Sequence, residues 1–122
     1  MLYAILCYDS EQVVGSWSKE QDDAVMDKLN VVQDQLEQRG KLGPVARLMP
    51  TRAARTLRKQ SALVLDGPFA ETKEQLLGFF VVDCASQEEA IEVAQALGNA
   101  SASAGAFEVR PLSFYRPGSL RA

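Results

Sequence analysis

Residues 65–80 read LDGPFAETKEQLLGFF. The segment begins where one apolar run, Ala62–Leu65, stops, and it ends inside another, Gly78–Val82. Both runs have the composition of strands. What joins them is turn chemistry. Gly67-Pro68 breaks regular structure, because the residue before a proline avoids helical angles. The Asp66 carboxylate can accept hydrogen bonds from backbone N–H groups two or three residues ahead. Phe69 is expected to fold into the core, and Thr72 with Gln75 reads as a capping pair for a short helical turn.

Upstream, Leu2–Tyr8 (LYAILCY) is apolar throughout and predicts a strand buried on both faces. Ser18 followed by Gln21 is a capping-box pattern, with Asp22 and Asp23 in the first turn where acidic side chains favour the helix dipole. Val25, Leu29, Val32 and Leu36 then recur at helical spacing, and Gly40 supplies a stop. Trp17 reads as a hydrophobic staple before this helix or as a lid over a pocket. Val45–Met49 and Arg55–Leu57 are candidate short edge strands, separated by Pro50.

Downstream, Gly78–Ala85 predicts a strand and Ser86 with Glu89 a second capping box. The helix that follows turns Ala90, Ile91, Ala94 and Leu97 inward and stops at Gly98. Asn99–Gly105 is a small-residue loop, Ala106–Leu112 a last strand, and Ser113–Ala122 a tail. This order makes two β-α-β halves around one antiparallel sheet. The expected fold is α+β, a ferredoxin-like split β-α-β sandwich with two helices on one face. A second copy is the simplest cover for the other face, which predicts a homodimer of the dimeric α/β-barrel type.

With 122 residues, 47% of them hydrophobic, the chain fits one domain with a usable core. A net charge of −3 argues against non-specific nucleic-acid binding. Met1–Ser10 lacks the basic segment and apolar core of a secretory signal, and no apolar run nears the ~20 residues that span a bilayer. A soluble, cytoplasmic protein without a membrane partner is expected. Cys7 and Cys84 sit in separate strand-like runs and read as buried free thiols. Histidine is absent, which removes Ser-His-Asp and Cys-His nucleophile systems and His-ligated metal centres. No metal or cofactor is expected.

The stretch Asp66–Ser86, DGPFAETKEQLLGFFVVDCAS, together with the terminal strand Glu108-Val109-Arg110-Pro111-Leu112, resembles the DGPF branch of the YCII-related superfamily. The resemblance covers residues 1–112 as one domain and leaves 113–122 as a tail. It implies a ferredoxin-like fold, a dimer, and an accessory role beside extracytoplasmic-function sigma factors. The wider group is suspected of enzymatic activity because some members carry a His–Asp pair, which a chain without histidine cannot supply.

Two readings of the cluster stay open. In the first, Asp66–Lys73 is a structural turn. In the second it is a site: Asp66 at a strand end orients a ligand or moves a proton, with Phe69, Glu71, Lys73 and Tyr8 around it. Arg47 or Arg110 would then hold a carboxylate or phosphate. The expected function is a small dimeric protein binding a small molecule or a protein partner near this motif. The alternative is a cofactor-free enzyme with Asp66 as acid/base on a small anionic substrate. A third is an interaction module built on the arginine-rich stretch Arg47–Arg58.

Overall fold

Strand β1 spans Leu2–Asp9, and its alternate residues Tyr3 and Ile5 are 5% and 0% exposed. The computed structural model describes residues 1–101 and 103–121. After β1 comes a short helix that the sequence pattern did not reveal, α1 (Glu11–Gly15), whose cap Ser10 accepts a hydrogen bond from the Val13 N–H at 3.3 Å. Two β-branched valines and a glycine in five residues carry no helical periodicity, so the element was invisible to pattern.

The long helix α2 (Lys19–Gln38) forms as its sequence dictates. The Ser18 hydroxyl accepts from the Gln21 N–H at 3.1 Å, and the Gln21 amide oxygen accepts from the Ser18 N–H at 2.9 Å. Val25 and Leu36 are buried, and Leu29 and Val32 pack against the core between them. At the far end Gly40 takes φ +67°, its N–H reaches the Glu37 carbonyl, and the Lys41 N–H reaches that of Leu36, each at 2.9 Å. This left-handed stop is what a glycine after the last turn allows. The position one turn inside the cap, where a staple partner for Trp17 would stand, is Asp22, so the staple does not form.

Strand β2 (Leu42–Arg47) starts three residues before the expected Val45–Met49 strand and runs through Gly43-Pro44. It lies at the edge of the sheet, where a proline costs no ladder bond. A 3-10 turn (Thr51–Ala53) leads to β3 (Arg55–Arg58) and β4 (Leu63–Asp66), which among the described residues pair only with each other. The expected strand at Ala62–Leu65 is therefore real, but it belongs to a separate hairpin. The backbone returns to the main sheet at β5 (Gln75–Asp83).

Helix α3 (Gln87–Ala100) is capped by Ser86, whose hydroxyl accepts from the Glu89 N–H at 3.2 Å. The Glu89 side chain turns instead to the Ala85 N–H and to Lys41. Gly98 does not end this helix, which continues to Ala100. No left-handed angle is needed at Gly98, and a lone glycine inside a helix is tolerated. β6 (Ala106–Pro111) closes the fold. Ala102 in the expected 99–105 loop and Ala122 in the tail lie outside the described residues.

The main sheet has the order β2-β5-β1-β6, with every neighbouring pair antiparallel. β5 separates β1 from β2, and β1 separates β5 from β6, so both β-α-β halves are split. The fold is α+β and ferredoxin-like, an open sheet with two long helices on one face. Tyr3, Ile5, Phe80 and Val82 meet Leu36, Ala90, Val93 and Leu97 in one core. By alternation, Ala4, Leu6, Phe79 and Val81 turn to the opposite face.

Candidate functional site

The helix face of the sheet is not filled along its whole length. Leu36, at the C-terminal end of α2, is 1% exposed and plugs the space beside Ala90. Toward the other end the small residues Ala94 and Gly98 of α3 border the same space, with Ile91, Gln95 and Asn99 beside them. Small side chains at four-residue spacing leave a volume that Val25, Met26 and Leu29 of α2 do not reach across. The result is a cleft of about 490 Å³ between α2, α3 and the sheet.

Its floor is Cys7, Phe80, Phe107 and Val109, one residue type after another that cannot carry charge at neutral pH. The Cys7 thiol is pushed up to about 12 by burial. It lies 3.8 Å from the Ile5 carbonyl, to which it can donate. It is a thiol, not a thiolate, so it is no nucleophile near pH 7. Cys84 is buried and also raised, chiefly by burial, and both cysteines are free.

The rim is polar. Arg47, at the end of β2, donates to both carboxylate oxygens of Asp22, at 2.8 and 3.2 Å. Each partner stabilises the other's charge: the guanidinium hydrogen bonds hold the Asp22 carboxyl below the usual range, and the carboxylate raises Arg47. Trp17 and Val14 stand beside this pair at the mouth. Opposite are Gln95 and Asn99, joined by a 2.9 Å hydrogen bond, and the hydroxyls of Ser101 and Ser103, 3.0 Å apart. The segment after β1 is pinned by Glu11. Its carboxylate accepts from both the Thr51 N–H and the Thr51 hydroxyl, and these bonds lower its pKa. Its own N–H donates to the Gln75 side chain at 3.0 Å.

The candidate residues read from the sequence divide into three places. Tyr8 and Arg47 line the cleft. Arg110 is exposed on β6, paired in register with Ala4. Asp66, Phe69, Glu71 and Lys73 lie on the hairpin and its exit and do not line the cleft. The Asp66 side chain is 95% exposed and stands 3.5 Å from the Arg55 Nε. Phe69 does not enter the core; it is 72% exposed, with the Arg58 guanidinium 4.9 Å from its ring centre. Lys73-Glu74 is a bend rather than a helical turn, bridged by the Gln75 side chain donating to the Thr72 carbonyl at 2.7 Å.

Sequence reasoning missed Met26, Gln33 and Gln95 as cleft residues, and reached Trp17 only as one of two alternatives, the lid over a pocket. The one signal available was the Ala94–Gly98 spacing, which marks where the second helix runs out of bulk.

A family model described as the YCII-related domain matches residues 1–115. The chain belongs to the YCII-related family. The match takes in every element from β1 to β6, so the cleft lies wholly inside the family domain. This YCII-related chain is also 58% identical, over 122 residues and 98% of each sequence, to an uncharacterized protein of Rhizobium meliloti (strain 1021).

Proposed function

We propose that this YCII-related protein is a homodimer that binds a small, largely apolar molecule in the cleft between α2 and α3. The observation that carries the reading is the cleft itself: about 490 Å³, floored by Phe80, Phe107 and Val109 and rimmed by a few polar groups. This is the size and lining of small-molecule sites in general. The thiol on its floor is un-ionised and the chain has no histidine, which favours binding over turnover. The accessory role beside a sigma factor that the motif implies fits a binding protein better than an enzyme. The enzyme alternative, with Asp66 as acid/base, asks for a partner surface to cover a carboxylate that stands in water here.

Two features support the dimer. The sheet face opposite the helices carries Leu6 and Phe79, both half-buried in the protomer. The β3–β4 hairpin exposes Leu57, Leu63, Val64 and Leu65, at 44–59%, and a two-stranded hairpin is marginal by itself. Arg52, Arg55, Arg58 and Lys59 put four positive charges on this arm. With Asp66 the arm is net +3, and the rest of the chain is then net −6, an attractive surface for the arm of a second copy.

Trp17 is the single tryptophan and lines the cleft, so binding can be read directly. Titration with the neutral probe N-phenylnaphthylamine is expected to enhance probe emission by energy transfer from Trp17. Ala94→Leu fills the cleft and Ile91→Phe narrows its rim; each is expected to weaken the probe by about tenfold, a loss of ~1.4 kcal/mol. Absence of probe binding, or binding indifferent to both folded variants, would overturn the cleft reading. Sedimentation is expected to give a dimer that Leu57→Asp with Leu65→Asp shifts to monomer.

A further inference from the structure

The charge distribution at the cleft names the class of molecule it takes. We infer that the cleft selects an apolar amine, bound as its ammonium ion, over the matching carboxylate. The inference rests on the cleft reading above.

Three side chains with a formal charge line the cleft: Asp9, Asp22 and Arg47. Both terminal nitrogens of Arg47 are engaged by Asp22, so this cation is already neutralised. To hold a ligand carboxylate it would have to give up that pair. Asp9 is different. One of its oxygens accepts from the Ser10 N–H at 2.7 Å, and among the described residues no lysine or arginine pairs with it. The net charge presented to a ligand is therefore negative.

The position of Asp9 strengthens the effect. It packs against Gly105, where an added Cβ would meet the Asp9 Cγ at 2.8 Å. Gly105 and Ser103 line the same end of the cleft as Gly98, Asn99 and Ser101, the C-terminal end of α3. A helix C-terminus carries a partial negative charge from its carbonyl groups, and the last turn of α3 contains no basic side chain to offset it. A carboxylate and a helix C-terminus thus converge at one end of an otherwise apolar volume. The amide oxygens of Gln95 and Asn99 and the serine hydroxyls add acceptors there. The aromatic rings on the floor, Phe80 and Phe107, also favour a cation over an anion.

The test uses three ligands with the same apolar body, decylamine, decanol and decanoate, below their micelle concentrations. Each displaces N-phenylnaphthylamine from the intact protein, with Trp17 emission as a second readout. Decylamine is expected to bind about tenfold or more tighter than decanoate, with decanol between them. Asp9→Asn keeps the oxygen that accepts from Ser10 but removes the charge, and is expected to bring decylamine down to the level of decanol. Asn99→Lys, at an exposed position, places a cation at the same end and is expected to reverse the order toward decanoate. Decanoate binding as well as decylamine, or a preference untouched by both variants, overturns the inference while leaving the cleft as a binding site. Failure of all three ligands to displace the probe removes the cleft reading and the inference with it.

Discussion

Asp66 and Arg55 face each other across the β3–β4 hairpin, the carboxylate 3.5 Å from the guanidinium Nε, with both side chains largely in water. This contact sets what the most recognisable residue of the chain does in the isolated protomer. A surface pair of this kind contributes little, because solvent screens it and two long side chains must be ordered to make it. Among the described residues, Asp66 also accepts no hydrogen bond from the turn it introduces. Asp66→Asn is therefore expected to change unfolding free energy by less than about 0.5 kcal/mol in urea titration. A loss of ~1 kcal/mol or more, the magnitude of a lost cap, would show that the carboxylate organises the turn after all.

The neighbouring glycine is expected to behave in the opposite way. Gly67 has φ +96°, its N–H donates to the Ala54 carbonyl at 2.8 Å, and its carbonyl accepts from the Thr56 hydroxyl at 2.9 Å. An added Cβ would meet nothing within 4 Å, so any cost of a side chain is conformational. Gly67→Ala is expected to destabilise the hairpin by about 1–2 kcal/mol, the cost of a left-handed angle at an L-residue. Faster proteolysis between β3 and β4, or earlier loss of hydrogen-exchange protection at the Gly67 amide, checks this; unchanged protection would place the strain elsewhere.

These two residues show what the sequence made legible. A turn at Gly67-Pro68 could be read because glycine and proline restrict the backbone locally. So could α2, whose cap, stripe and glycine stop are all short-range devices. The role of Asp66 could not be read, because it depends on whether β4 joins the main sheet, and it does not. Gly98 misled for a related reason: as a stop signal it means something only when the backbone needs φ > 0, and at that point α3 does not. The cleft was the least legible feature. Its lining comes from Cys7, Met26, Arg47, Phe80, Gln95 and Phe107, each on a different element, and no local pattern joins them. Val25 and Leu29 serve the core, as their spacing implies, and also wall the cleft, two roles that share one periodicity.

The floor of the cleft carries its own chemical test. With the Cys7 thiol pushed up to about 12 from an ordinary value of 9.0, thiolate at pH 8 is depleted roughly a thousandfold relative to an exposed cysteine. Cys84, 1% exposed, is shielded sterically. Iodoacetamide is expected to label neither cysteine of the native protein on the timescale that labels both in urea, with Cys7 the first to react. Occupation of the cleft should slow Cys7 further and leave Cys84 unchanged. Rapid native labelling of Cys7 would mean that the cleft opens far wider than the packed arrangement allows.

The joint between the sheet and α3 should reveal itself through pH. The Lys41 Nζ donates to one Glu89 oxygen at 2.7 Å, and the other oxygen accepts from the Ala85 N–H at 3.1 Å. The hydrogen bond from Lys41, then the one from the Ala85 N–H, hold the Glu89 carboxyl below its ordinary value of 4.5. The bond to Glu89 raises Lys41 above 10.5. A lowered acid contributes stability that is complete above its unfolded value and is lost as pH falls through the folded one. A raised base contributes stability that is complete below its unfolded value and is lost as pH rises through the folded one. The pair therefore acts at full strength from about pH 5 to about pH 10 and weakens on either side. Glu89→Gln retains an oxygen for the Ala85 N–H and removes only the charge. The difference in urea midpoint between the native protein and this variant is expected to be flat across that plateau and to shrink toward zero in acid. If the difference persisted unchanged well below pH 4, the contribution of Glu89 would lie in its hydrogen bonds and packing, and the charge would be incidental to how α3 is anchored.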